Sequence, residues 1–324
     1  MSMDGVARVA DMLGRRAVRN APLGSRTTYR VGGTAAALVE VGSEDDLRTV
    51  RSALAKAGGP LPLLVLGRGS NLLVADGGFP GVVVVLGPAL AQVTVAGTVL
   101  KAGGAAGFPV VARRAAAAGL RGLEWAVGVP GSVGGALKMN AGGHGSDTAA
   151  VVRRCRVFDL AAGHAWEGGP ERLDHGYRSS SLGAGDVVVW AELGLHAGRR
   201  ADAEAQLSEI VRWRRAHQPG GSNAGSVFTN PPGDSAGRLV EAAGLKGYRI
   251  GTARVSEKHG NFIQAGEGGS AGDVWALVGH VRATVHERTG VDLTPELRTV
   301  GFPDSPDCLV RVDGAGSAAR TPPP

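Results

Sequence analysis

Ser226 stands in "NAGSVFTNP" (223–231), directly after Gly225 and before an apolar pair. A serine on a glycine shoulder is a nucleophile, a turn residue or another user of a hydroxyl. A nucleophilic serine needs an adjacent base and often a G-x-S-x-G elbow. The chain has no such elbow around Ser226, and no Ser-His-Asp order supports that role. A second chemical signal is "GRGSN" (67–71), a glycine loop following an apolar run. Gly67 and Gly69 permit a tight turn, and Ser70 and Asn71 add polar groups. Such a loop can aim main-chain N–H groups at a phosphate. A plain turn between strands reads the same way. The dinucleotide fingerprint G-x-G-x-x-G is broken by Leu72, and no Walker A sequence is present. A third signal is "GVPGSVGGALKMNAGGHG" (128–145), with glycine at 128, 131, 134, 135, 142, 143 and 145. Glycine at that density lets backbone press against a flat or charged ligand. The Val, Leu and Met spaced through it argue for an ordered loop rather than a linker. Histidines form no HExxH, and Cys155 and Cys308 stand far apart without a CxxC. No metal site is expected.

The elements that must hold these loops follow from periodicity. "AALVEV" (36–41) reads as a buried strand. Ser43 then caps a helix whose Leu47, Val50 and Leu54 share a face, stopped by Gly58 and Gly59. "LPLLVL" (61–66) and "VVVVL" (82–86) are further strands, giving a βαβ unit around "GRGSN". "QVTVAG" (92–97) is a strand, and 108–120 is a helix closed by Gly119. "GLEWAVGVPGSVGGALKMNAGGHG" reads as mostly irregular. "RRCRVFDL" and "DVVVWAELGL" are sheet strands, and 201–217 is a helix. In the last third, "GSVFT", "NFIQA" and "LRTVG" read as strands. "DSAGRLVEAAGL" and 270–290 read as helices. The expected division is 1–90, 91–204 and 205–304, followed by a disordered tail at 305–324.

Composition bounds the class. The chain has 324 residues, 43% hydrophobic and 20% charged, which is globular and long enough for two or three domains. Aromatics are only 4%, so Val, Leu and Ala must fill the core. The net charge is +6, from 30 Arg and 5 Lys scattered along the chain. No basic patch interleaved with aromatics is visible, which argues against a nucleic-acid binder. An anionic substrate suits a moderately basic enzyme. No apolar run suggests a signal peptide or a membrane span, and two isolated cysteines fit a reducing cytoplasm.

The two glycine loops occur in order with "TTYRVGG" (27–33), "YRSSS" (177–181), "GSVFTNPP" (225–232), "VSEKHGNFI" (255–263) and "PELRTVG" (295–301). This set, from about residue 22 to 303, resembles the UDP-N-acetylenolpyruvoylglucosamine reductase (MurB) family. The compact C-terminal part resembles its shorter subtype, which lacks an inserted tyrosine-bearing substrate loop. The resemblance implies an α+β fold. It comprises a two-domain FAD-binding module of the vanillyl-alcohol-oxidase-like (PCMH-type) flavin fold plus a C-terminal α+β substrate-binding domain. It implies non-covalent FAD, NADPH as electron donor and a UDP-sugar substrate in peptidoglycan precursor synthesis. FAD contacts are implied at Tyr29, Arg30, Gly67, Arg68, Gly69, Ser70 and Asn71. Others are implied at Gly128, Val129, Pro130, Gly131, Ser132, Gly134, Gly135, Asn140 and Gly142. Ser226 is implied as proton donor, with Arg178 and Glu296 stabilising the charge that develops on the substrate. Substrate contacts are implied at Arg214, Asn230, Lys258, His259 and Asn261.

The chemistry explains why those types serve. Hydride addition to an enolpyruvyl ether leaves negative charge delocalised into the carboxylate, which an Arg can stabilise. The neighbouring carbon then needs a proton from a positioned acid. Glu296 must be protonated, or hydrogen-bonded to that carboxylate, to help rather than repel. Two positions depart from the family pattern: His217 stands where Lys is usual, and His144 where Tyr is usual. Another FAD oxidoreductase of the same fold and a non-catalytic nucleotide-sugar binder are the competing readings. Oligomeric state is left open, a monomer included.

Overall fold

The computed structural model describes residues 3–303, 305 and 309–310. Helix α1 (Met3–Leu13) leads into β1 (Ala17–Pro22) and β2 (Thr34–Val41). Helix α2 (Glu44–Ala55) follows, then β3 (Leu61–Leu66), β4 (Leu72–Val74) and β5 (Phe79–Leu86). The Ser43 hydroxyl accepts from the Asp46 N–H at 3.1 Å, and Glu44, Asp45 and Asp46 put negative charge on the first turn. Strands β2, β3 and β5 are parallel and lie at the centre, which is why their sequences are nearly continuous apolar runs. Strand β1 flanks β2, and a short β19 (Leu309–Val310) pairs antiparallel with β3. That pairing adds order within 305–324, while the low-complexity end at 311–324 lies outside the described residues.

The middle of the chain forms a second, antiparallel sheet. Its strands are β6 (Val93–Ala96), β7 (Val99–Gly103), β11 (Val152–Asp159), β12 (His164–Gly168) and β13 (Asp186–Gly194). Their order is β12-β11-β13-β7-β6. Phe158, Val187 and Val189 from this sheet, with Leu160 just beyond β11, share a core with Leu63 and Val82 of the first sheet and with Leu47 and Val50 of α2. Helix α3 (Phe108–Ala117) covers the other side, followed by Gly119 at φ +72°. The stretch expected to be irregular holds more structure than its glycines suggest. It carries a 3-10 turn at Glu124–Gly128, helix α4 (Val133–Lys138) capped by Ser132, and a hairpin of β9 (Gly142–Gly143) and β10 (Ser146–Asp147). A two-residue strand β8 (Leu120–Arg121) pairs with β14 (His196–Ala197). Helix α5 (Arg200–His217), read from the sequence with the C-terminal part, buries Ala203, Leu207 and Ile210 in this middle core.

The last third packs α6 (Ala236–Ala242) and α7 (Ala271–Thr289) on a small sheet of β15 (Arg249–Ile250), β16 (Ala253–Val255) and β17 (Ile263–Ala265). Its core also takes in Tyr29, Val31 and Leu73 from the first unit. Strand β18 (Arg298–Val300) pairs in parallel with β4. Asp76 accepts from Ser270, Ala271 and Gly272 and so caps α7 from the first unit. The expected strand "GSVFT" does not form. Val227 bonds to Asn261, and Thr229 to Thr294, so its polar groups are shared between segments and only the bridge Phe228↔Pro295 results.

Candidate active site

The three units meet at one cleft of about 500 Å³, within the size range of small-molecule and cofactor sites. One wall is Gly67 to Asn71, the loop between β3 and β4. Facing it is Gly128 to Ser132, the approach to α4. The walls touch where the Ser70 hydroxyl donates to the Pro130 carbonyl at 3.2 Å. Glycine is required there. A Cβ on Gly67 would lie 2.5 Å from the Ser132 hydroxyl oxygen. A Cβ on Gly131, at φ +127°, would lie 2.9 Å from the Ser70 hydroxyl oxygen. The N–H groups of Arg68, Gly69 and Ser70 donate to no acceptor among the described residues. A glycine-floored loop with free amides fits an anionic diphosphate, so the residues present match the dinucleotide cofactor that the motifs imply. A smaller adjoining cavity of about 210 Å³ includes Gly134, Gly135, Lys138 and Asp186.

Gly131→Ala tests the cradle. A side chain at that φ is strained, and its Cβ pushes Ser70. FAD affinity, read by flavin fluorescence titration, is expected to fall about tenfold or more. An unchanged affinity would remove Gly131 from the cofactor wall.

Ser226, Arg178 and Glu296 all line this cleft. The Ser226 hydroxyl has no hydrogen-bond partner among the described residues, so it is free for a ligand. Gly225 takes φ +78° and its N–H donates to Asn223 Oδ1 at 3.0 Å, which turns the chain into the cleft. Arg178 Nε lies 3.1 Å from Glu296 Oε1, at side-chain exposures of 24% and 17%. The Nε–H does not point along that line, so the contact is an ion pair without an aligned hydrogen bond. Arg178 Nη2 donates to the Gly142 carbonyl at 3.1 Å. Burial pushes the Glu296 carboxyl above its ordinary range, against the opposing pull of Arg178 and Arg298. Glu296 is mounted on both neighbouring walls. Its N–H donates to the Val227 carbonyl at 2.8 Å, and its carbonyl accepts from the Asn71 side chain at 3.0 Å.

Arg214 also lines the cleft. Its guanidinium donates to the Gly128 carbonyl and to Gln218 Oε1, so it ties α5 to the glycine wall. Burial holds its pKa below the usual arginine value.

Several other residues expected at the site serve different ends. Tyr29 is fully buried away from the cleft, its hydroxyl unpartnered, and burial pushes its pKa up. Arg30 is exposed at φ +57° and does not line the cleft. Asn140 is buried at φ +37°. Its amide accepts from Ala149 and donates to Asp147 and Gly176, tying two turns together. Asn230 accepts from the N–H of Ala236 at the start of α6. Lys258 donates to the Arg215 carbonyl near the end of α5. His259 packs on Phe262, accepts from the Asn261 N–H, and is held below the usual histidine pKa by burial. None of these lines either cavity.

Asn261 is the clearest case. It is buried, and its amide brackets Phe228, accepting from its N–H at 2.9 Å and donating to its carbonyl at 2.8 Å. Asn261→Ala leaves both groups unpaired, so roughly 2–4 kcal/mol of stability should be lost. Urea denaturation reads this, and a loss under 1 kcal/mol would contradict the bracket.

The sequence reading missed Lys138, Met139 and Gln218, which line the cleft. Lys138 donates to the Gly183 carbonyl at 2.6 Å. Lys138 and Met139 fall inside a motif already marked by its glycines, and Gln218 directly follows α5, so proximity to the motif was the only signal. The departures at His144 and His217 meet on one side chain. His144 packs edge-on against Trp213, with ring centroids 5.1 Å apart, and His217 stacks on it at 4.7 Å.

Comparison with known proteins decides the family. The family model described as UDP-N-acetylenolpyruvoylglucosamine reductase, C-terminal domain, matches residues 217–300. The model described as FAD binding domain matches residues 35–169. UDP-N-acetylenolpyruvoylglucosamine reductase 2 of Symbiobacterium thermophilum is 44% identical over 87% of this chain and 92% of its own length. The chain belongs to the UDP-N-acetylenolpyruvoylglucosamine reductase (MurB) family. The reductase of Bacillus subtilis is 39% identical over 88% of this chain and 94% of its own. The crystal structure of the MurB enzyme from Thermus caldophilus matches with a TM-score of 0.75 at 37% identity, covering 88% of this chain and 98% of that one. The α+β class and the FAD-binding module expected from the sequence are borne out, as is an oxidoreductase of this family. Among the described residues no helix is long and apolar enough to cross a membrane.

Proposed function

We propose that this chain reduces UDP-N-acetylenolpyruvoylglucosamine to UDP-N-acetylmuramate, with NADPH as electron donor and FAD held non-covalently. The observation that carries the reading is one cleft lined by the glycine cradle together with Ser226, Arg178 and Glu296. The chemistry FAD supplies when bound is hydride transfer, first from NADPH and then to the enolpyruvyl group. Arg68, Gly69, Ser70 and Gly131 are the residues we assign to its diphosphate. Arg178 would balance the negative charge that develops on the substrate carboxylate. Protonated Glu296 would donate a hydrogen bond to that same carboxylate, which its raised pKa favours. Ser226 would then give its hydroxyl proton to the adjacent carbon. Arg214 would contact substrate phosphate only by releasing part of its hold on the Gly128 wall. The product feeds peptidoglycan synthesis, and we place the enzyme in the cytoplasm as a three-domain protein.

The test is product formation. NADPH and the enolpyruvyl UDP-sugar should yield UDP-N-acetylmuramate by mass spectrometry, one per NADPH oxidised. NADPH consumption that depends on oxygen and gives no such product would sink the substrate assignment.

A further inference from the structure

Arg178 is held in a turn that its sequence does not favour. It lies at φ +58°, and Asp174 in the same turn lies at φ +41°. Left-handed backbone at such residues persists where the surroundings over-determine it. The turn closes on itself through reciprocal main-chain bonds between Gly176 and Ser179. Three side-chain bonds then fix it to the end of α4 and the residues just beyond. His175 Nε2 meets the Leu137 carbonyl at 2.9 Å. Ser180 donates to the Lys138 carbonyl at 2.8 Å, and Asn140 donates to the Gly176 carbonyl at 3.0 Å. Leu137 and Lys138 are the last residues of α4, and the Leu137 carbonyl, which also takes the Asn140 N–H at 3.3 Å, has a second lone pair for His175. A carbonyl only accepts, so the His175 ring carries its proton on Nε2. The other ring nitrogen is buried with no partner, and His175 lines neither cavity.

We propose that His175 is a positioning residue for Arg178: its Nε2–H pins the arginine turn to α4, whose own first turn lines the cofactor cleft. The cofactor wall and the arginine thereby share one mount. Ser132 and Gly135 stand at the start of the helix, and Leu137 and Lys138 at its end. His175 makes no contact with the reacting groups and acts only through Arg178. The consequence for turnover rests on the function proposed above, whereas the consequence for the turn does not.

Two variants separate the role from general damage. His175→Leu keeps bulk and removes the donor, and His175→Gln keeps an N–H donor that can reach the same carbonyl. In FAD-loaded protein, hydrogen exchange across 174–182 should quicken about tenfold in the Leu variant. It should stay unchanged across 223–231, and the Gln variant should restore it. In single-turnover experiments the Leu variant should slow flavin reoxidation by the substrate about 10- to 100-fold, leave reduction by NADPH unchanged, and recover with Gln. Unchanged exchange across 174–182 would overturn the proposal. So would equal slowing of both half-reactions, or a Gln variant as impaired as Leu. If wild-type flavin is not reoxidised by that substrate at all, the proposed function fails, and the exchange measurement still decides the role of His175.

Discussion

Ser226→Ala is expected to leave flavin reduction by NADPH near the wild-type rate and to slow reoxidation by the enolpyruvyl substrate by about 10²–10⁴-fold. The asymmetry follows from the site. Only the second half-reaction needs a proton delivered to carbon, and Ser226 is the free hydroxyl we assign to that delivery. The substitution is structurally mild. The hydroxyl makes no internal hydrogen bond, so removing it orphans nothing in the described protein. The turn that presents it is set by Gly225 and by the clamp on Val227 and Phe228, which alanine leaves in place. Thermal stability should therefore match wild type. Stopped-flow absorbance of the flavin under anaerobic conditions reads each half separately. Equal reoxidation rates would remove Ser226 from the chemistry, and a loss shared by both halves would point to a damaged cofactor site.

Arg178→Ala should cost roughly 10²–10³-fold in the same half-reaction, the range for losing one preorganised charge-stabilising group. It carries a second signature through Glu296. Burial raises the Glu296 pKa above the ordinary 4.5 while Arg178 opposes that rise. If protonated Glu296 is the working form, reoxidation falls as pH climbs through the folded-state pKa. Removing Arg178 removes a cation that favours the carboxylate, so that falling limb should move to higher pH. Stability follows the same sign. A carboxyl with a raised folded pKa takes up a proton on folding. Its contribution is present below the unfolded pKa and is lost as pH rises through the folded one. Glu296→Gln should abolish both dependences. A limb that moves to lower pH in Arg178→Ala would contradict the pairing.

What was legible in the sequence, and what was not, divides along physical lines. Leu47, Val50 and Leu54 at helical spacing behind Ser43, and the unbroken run Val82 to Val85, announce their elements because burial alone dictates them. The cradle was legible because its two walls close on each other at 67 and 131, where an added Cβ would meet the Ser132 and Ser70 hydroxyls. Pairing across distant segments was not legible. Nothing local tells that Leu73 and Tyr29 belong to the C-terminal core, or that "GSVFT" divides its polar groups among Asn261, Thr294, Glu296 and Leu297 instead of forming a ladder. Asparagine misled for a related reason. Asn140 and Asn261 lie in motifs that the resemblance assigns to ligand contacts, yet their amides brace buried backbone. An amide that recognises a ligand and one that recognises a peptide group have the same donors and acceptors. The trio at 178, 226 and 296 became legible only through the order of its motifs, and the fold brings all three to one cleft.

One cleft is proposed to carry reducing equivalents from NADPH to an enolpyruvyl UDP-sugar. The most direct measurement of this transfer is the visible spectrum of the purified, FAD-loaded protein under strictly anaerobic conditions. One equivalent of NADPH should bleach the oxidised flavin bands, and one equivalent of UDP-N-acetylenolpyruvoylglucosamine should then restore them in full. Bleaching that this substrate leaves unchanged, while oxygen restores the colour, would contradict the account.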